Sequence, residues 1–179
     1  MWAAWDAKSP RDQRDDALTA DAALLARIRS STAGEQAGFR ASLGPMELDF
    51  ATFVGFRLNE HVLHTWDIEV ALDPTATLPI DGTGAVIDNL ALIARFAGKP
   101  VGAETSVVVA TTDPVRRLRV DLGGDRVAVA PDAATSADLT MPSEAFVRLV
   151  YGRLDPAHTP AVDDPRGLLD LLRRAFPGV

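Results

Sequence analysis

The stretch FATFVGFRLNEHVLHTWDIEVAL, residues 50–72, is apolar at Val54, Leu58, Val62, Trp66 and Val70, a helical spacing. Asp73-Pro74 closes it, because proline cannot continue a helix and restrains the residue before it. The pattern predicts one helix from about Glu47 to Leu72. At about 100° per residue, Arg57, Glu60, His64 and Asp67 fall within an arc of about 80°. The remaining circumference carries Phe56, Val62, Leu63 and Trp66. A helix apolar nearly all round is expected to be buried, with its polar stripe held inside a bundle or cleft.

Outward from this segment, Ser9-Pro10 opens a helix over roughly 10–31, and residues 32–45, with three Gly and a Pro, read as a loop. A third helix is expected from near Gly84 to Gly98-Lys99-Pro100. The period then changes. TSVVVATT (105–112), RRLRVDLG (116–123), DRVAVAP (125–131) and ADLTM (137–141) read as short antiparallel strands parted by Asp113-Pro114 and Gly123-Gly124. Pro142-Ser143-Glu144 opens a helix to about Tyr151, and Asp164-Pro165 opens a last one to about Phe176. These elements predict an α+β chain of two domains, a helical one over 1–98 and an α/β one over 99–179.

Composition narrows the chemistry. The 179 residues contain no cysteine, so neither a disulfide framework nor a protein thiol is available, and a metal site must use His, Asp and Glu. A net charge of -7 disfavours a nucleic-acid partner. No basic region followed by an apolar run opens the chain, and no uncharged stretch approaches the ~18 residues of a membrane span, so the expected compartment is the cytoplasm.

The three histidines, His61, His64 and His158, divide by context. Glu60 and His64, one turn apart, can present a carboxylate and an imidazole to one divalent ion, with Asp67 or Arg57 acting from behind. The same spacing equally serves as an ordinary helix-surface pair. His61 points about 60° away and reads as packing or a hydrogen bond. His158, in RLDPAHTP, reads as a solvent-facing loop residue.

FRLNEHVLHTWDIEVAL resembles the R-x-x-E-x-x-x-H-x-x-D helix of the mycothiol-dependent maleylpyruvate isomerase family, within the DinB-like superfamily of metalloenzymes. ADLTMPSEAFVRLVYGRLDP and the terminal LLDLLRRAFPGV resemble the C-terminal domain of that family. The resemblance implies a DinB-like helical bundle followed by a small sterol carrier-like α/β domain with an antiparallel sheet. It implies one divalent metal, usually zinc, with Glu60 and His64 as two of three ligands. The third would be a histidine on a first bundle helix, and nothing upstream of residue 11 matches that segment, so the bundle is expected to be about three helices and incomplete. Mycothiol would supply the thiol, which the metal holds as thiolate against a small electrophilic substrate. Arg153 in YGRLDP, or Arg57, would suit a substrate carboxylate. The alternative is a metal-free member acting as a small-molecule-binding or interaction module, with a homodimer as one form of it.

Overall fold

The computed structural model describes residues 2–44, 46–102 and 104–178 and has an α+β fold in two compact units, Met1–Phe53 and Val54–Val179. In the first unit, α1 (Trp2–Asp6) precedes α2 (Pro10–Ser30), which starts where Ser9 accepts a hydrogen bond from the Asp12 N–H and Pro10 supplies a ready-set first residue. α2 buries none of its residues. The segment expected to be a loop is more ordered than its glycines suggest. Thr32 caps α3 (Ala33–Gly38) through its hydroxyl, while the Glu35 carboxylate accepts the Thr32 N–H at 2.8 Å. Those bonds, with Arg27 beside them, pull the Glu35 carboxyl down to about 2. Strands β1 (Ala41–Leu43) and β2 (Met46–Leu48) then form an antiparallel hairpin, with Leu48 buried. Phe39 packs edge-on against Phe50 at 5.7 Å between ring centroids.

The second unit holds most of α4 (Phe50–Leu72), then α5 (Ile80–Ile87) and α6 (Leu90–Ala97) where one helix was expected. The break falls at Asp88-Asn89. Asn89 leaves the helical region, at φ -101° and ψ 0°, and turns its carboxamide back onto the Ala85 carbonyl, while Asp88 beside it makes a two-point ion pair with Arg116, at 2.8 and 3.0 Å. Strands β3 (Thr105–Thr112), β4 (Arg116–Leu122), β5 (Val127–Pro131) and β6 (Leu139–Pro142) make one sheet in the order β5-β4-β3-β6.

Alternation decides its faces. Val107, Val120 and Val129 lie level across three strands and are buried, whereas Ser106, Arg119 and Asp121 stand on the other face. The expectation of a wholly antiparallel sheet is corrected at β6, which runs parallel to β3. Residues 132–138 carry the chain from one edge of the sheet to the other. That segment is pinned at both ends, by Asp132 N–H to the Arg117 carbonyl and Asp138 N–H to the Val108 carbonyl.

Helix α7 (Ser143–Val150) leaves β6 directly and packs against α5, α6 and the sheet. A 3-10 turn (Pro156–His158) and α8 (Leu169–Ala175) follow. One cluster of buried side chains runs from Val62 through Leu90 and Val107 to Phe146, continuous across the expected domain boundary at 98/99. The division of the chain into compact units falls at 53/54, and within the second unit α6 packs on β5 and α5 on α7.

The largest of the fully buried side chains is a charged one. Arg148 is 2% exposed and donates to both Glu144 oxygens, at 2.7 and 2.8 Å, and to the His158 carbonyl at 2.8 Å. Its guanidinium lies 4.9 Å from the centre of the Trp66 ring. Replacing Glu144 with Ala leaves that charge buried and unpaired, and should cost about 3–5 kcal/mol in chemical denaturation. Glu144→Leu combined with Arg148→Met should recover most of the loss. A cost under about 1 kcal/mol for Glu144→Ala would show that the guanidinium escapes to water.

Candidate functional site

Helix α4 turns its two sides to different surroundings. Asn59, Val62, Leu63 and Trp66 are buried, and the Trp66 indole N–H donates to the Ala76 carbonyl at 2.9 Å. Arg57, Glu60, His61 and His64 lie on the exposed side, and Asp67 at its edge. The polar stripe therefore faces outward, which corrects the expectation of an enclosed one. Ile68, next to Asp67 in the chain, is itself exposed.

Along this stripe His64 stands between two carboxylates. Its Nδ1 is 3.0 Å from Asp67 Oδ2 and its Nε2 is 3.1 Å from Glu60 Oε2. A neutral imidazole has a single N–H and can donate to only one of them. With that proton on Nδ1 toward Asp67, the Nε2 lone pair faces a carboxylate oxygen, an arrangement that a proton or a cation between them relieves.

Asp67 is in turn held by Arg153, eighty-six residues further along the chain. Nε donates to Oδ1 at 2.7 Å and Nη2 to Oδ2 at 2.8 Å, the two-point geometry of a strong guanidinium–carboxylate pair. These bonds, led by the Arg153 one, hold the Asp67 carboxyl below the ordinary aspartate range despite partial burial.

Arg153 owes its position to the end of α7. Gly152 takes a φ of 67°, its N–H donates to the Leu149 carbonyl at 2.9 Å, and the Arg153 N–H reaches back to the Arg148 carbonyl at 2.7 Å. This is a Schellman closure, which needs a residue without a Cβ at the left-handed position. It lays the guanidinium 5.8 Å from the centre of the Tyr151 ring. The Asn59 carboxamide and the Tyr151 hydroxyl are buried side by side, and among the described residues neither the Asn59 Oδ1 nor the hydroxyl makes a well-aligned hydrogen bond. Burial, with the Glu60 charge nearby, pushes the Tyr151 phenol up.

Of the residues singled out from the sequence, Glu60, His64, Asp67 and Arg153 come together. Arg57 is exposed and stands apart from the hydrogen-bonded cluster. His158 is partly covered, its Nδ1 2.8 Å from Asp155 Oδ2 and its ring edge-on to Trp66. Sequence reasoning passed over Asn59, Tyr151 and Arg148. The four-residue spacing of Glu144 and Arg148 on an otherwise apolar helix is the signal that could have found the last.

As a metal centre the cluster is incomplete. Glu60 and His64 offer two donors side by side, but both Asp67 oxygens are engaged, Oδ1 by Arg153 and Oδ2 by Arg153 and His64. Among the described residues no group of three His, Asp or Glu side chains is arranged to hold an ion.

Two outcomes follow from the geometry. Asp67 has a lower pKa folded than unfolded, so its stabilisation is complete above the ordinary value of about 3.9 and fades as pH falls through the folded value. In Arg153→Gln, carbon NMR should show the Asp67 carboxyl titrating closer to that ordinary value, and this part of the acid dependence should shrink. The partly exposed pair itself is worth about 1 kcal/mol. Gly152→Ala should lose at least about 1–2 kcal/mol, because a Cβ there would stand 2.1 Å from the Gly178 Cα as well as in the left-handed region. Thermal unfolding unchanged from the parent would show that the α7 closure tolerates a side chain.

No curated protein matches the chain. Among the described residues no helix is long and apolar enough to cross a membrane. Residues 85–171, which include Arg153 but not α4, match the family model described as the MDMPI C-terminal domain, the domain of that position in mycothiol-dependent maleylpyruvate isomerase-like proteins.

Proposed function

We propose that this chain is a cytoplasmic, mycothiol-dependent isomerase or thiol transferase acting on a small electrophilic carboxylate. The observation that carries this reading is the two-point bond from Arg153, inside the matched domain, to Asp67, on the helix that bears Glu60 and His64. It joins the two segments whose sequences resemble the family. The reading brings with it a DinB-like bundle, a sterol carrier-like C-terminal domain and a divalent metal, with zinc the usual choice. Glu60 and His64 would hold that metal, and a bound metal keeps a thiol ionised at neutral pH. A third ligand would have to come from a residue other than those the described cluster supplies.

The chain's own contributions are definite. Asp67 and Glu60 flank the two ring nitrogens of His64, and with the proton on Nδ1 Asp67 accepts it and leaves Nε2 toward Glu60. Arg153 steadies Asp67 and puts a guanidinium at the edge of the stripe, where a substrate carboxylate competes with Asp67 for it. Arg57, one turn before Glu60, is the other cation on this face. With no cysteine in the sequence, any thiol chemistry needs a thiol from a partner molecule.

One observation favours a second reading, a metal-free, homodimeric binding or interaction module: the described donors stop at two while Asp67 is committed elsewhere. Metal analysis of the purified protein separates the two. About one zinc per chain, lost in Glu60→Ala and in His64→Ala, supports the enzyme. Less than about a tenth of an ion per chain leaves the module.

A further inference from the structure

A second concave site lies on the sheet, away from the Asp67 cluster. A cavity of about 630 Å³ opens beside the β4–β5 hairpin, lined by Arg95, Asp121, Gly123, Arg126, Val127 and Ala128. That volume is in the range of small-molecule pockets.

Its charge is not balanced from within. Both oxygens of Asp121 are taken, Oδ1 by the Ser106 hydroxyl at 2.6 Å and Oδ2 by the Arg119 Nε at 3.1 Å. The same two bonds keep its carboxyl below the ordinary range. Among the described residues, neither the Arg95 nor the Arg126 side chain has a hydrogen bond or an ion pair. The uncommitted charge in the cavity is therefore positive, on a protein whose net charge is -7.

The backbones that carry these two cations are fixed. The Gly123 N–H donates to the Arg126 carbonyl at 2.9 Å and closes the hairpin. Arg95 rides on α6, which packs on β5 so closely that a Cβ at Gly98 would stand 2.6 Å from the Val127 Cβ. The remaining lining, Gly123, Val127 and Ala128, is small or apolar, and the Glu104 carboxylate stands beside Gly124 on the hairpin turn, outside that lining.

We infer that this cavity binds a small organic anion, its carboxylate held by Arg95 and Arg126 and its apolar body lying against Ala128 and the hydrocarbon stems of the two arginines. Guanidinium groups take a carboxylate through paired N–H bonds, and the apolar wall rewards a hydrocarbon body over a bare ion. The inference stands independently of the thiol chemistry proposed for α4.

The test is a titration of the full chain with benzoate and with inorganic phosphate at constant ionic strength, followed through the arginine Nε–H signals in nitrogen NMR. Benzoate should give saturable shifts of the Arg95 and Arg126 signals below about 20 mM, with phosphate binding more weakly. Arg95→Gln and Arg126→Gln should each weaken benzoate about tenfold, the double variant should abolish its binding, and Arg117→Gln should leave it unchanged. The inference is overturned by linear shifts with no saturation, by benzoate binding that survives in the double variant, or by phosphate binding as tightly as benzoate.

Discussion

A buried guanidinium has to be answered on every side, and Arg148 organises the second unit by that requirement. Three of its N–H groups are met by Glu144 on its own helix and by the His158 carbonyl, and its charge also by the face of Trp66. Three separate pieces of chain are thereby held to one point. The turn that carries His158 is further tied by Arg173, which donates to the Leu154 carbonyl at 3.0 Å. Between these anchors lies Arg153, so the surface cluster on α4 inherits its precision from a charge that never meets solvent.

The periodic elements were legible in the sequence because their patterns are local. Strands β3 and β4 alternate as Val107, Val109 and Leu118, Val120 do, and α4 ends where Asp73-Pro74 requires. What could not be read was settled by partners distant in the chain. The break between α5 and α6 falls beside an ion pair from Asp88 to Arg116, twenty-eight residues on, and the direction of β6 depends on where residues 132–138 are pinned. The α3 helix was hidden by glycines at 34 and 38, although the Thr32–Glu35 capping pair announces it.

The functional residues show the same division. Glu60, His64 and Asp67 share a helix face, so spacing alone assembles them, and Arg153 was named from motif resemblance before any contact with Asp67 was visible. The misjudgement concerned exposure. Hydrophobicity around the whole helix argued for burial, yet burial depends on whether neighbours exist to cover each face, and Ile68 and Leu72 remain open. A helix can be apolar all round and still present a polar stripe outward.

The parallel orientation of β6 also sets an order of assembly. Strands β3, β4 and β5 pair through short connections and can close as a local meander, whereas β6 must find β3 about thirty residues back, at the greater entropic cost of a longer loop. Helix α7 begins at Ser143, one residue past the last paired position of β6, and Arg153 follows directly from its end. The guanidinium that completes the α4 cluster thus arrives with the last strand, which makes the contact with Asp67 a late event in folding and a marker that the sheet has closed.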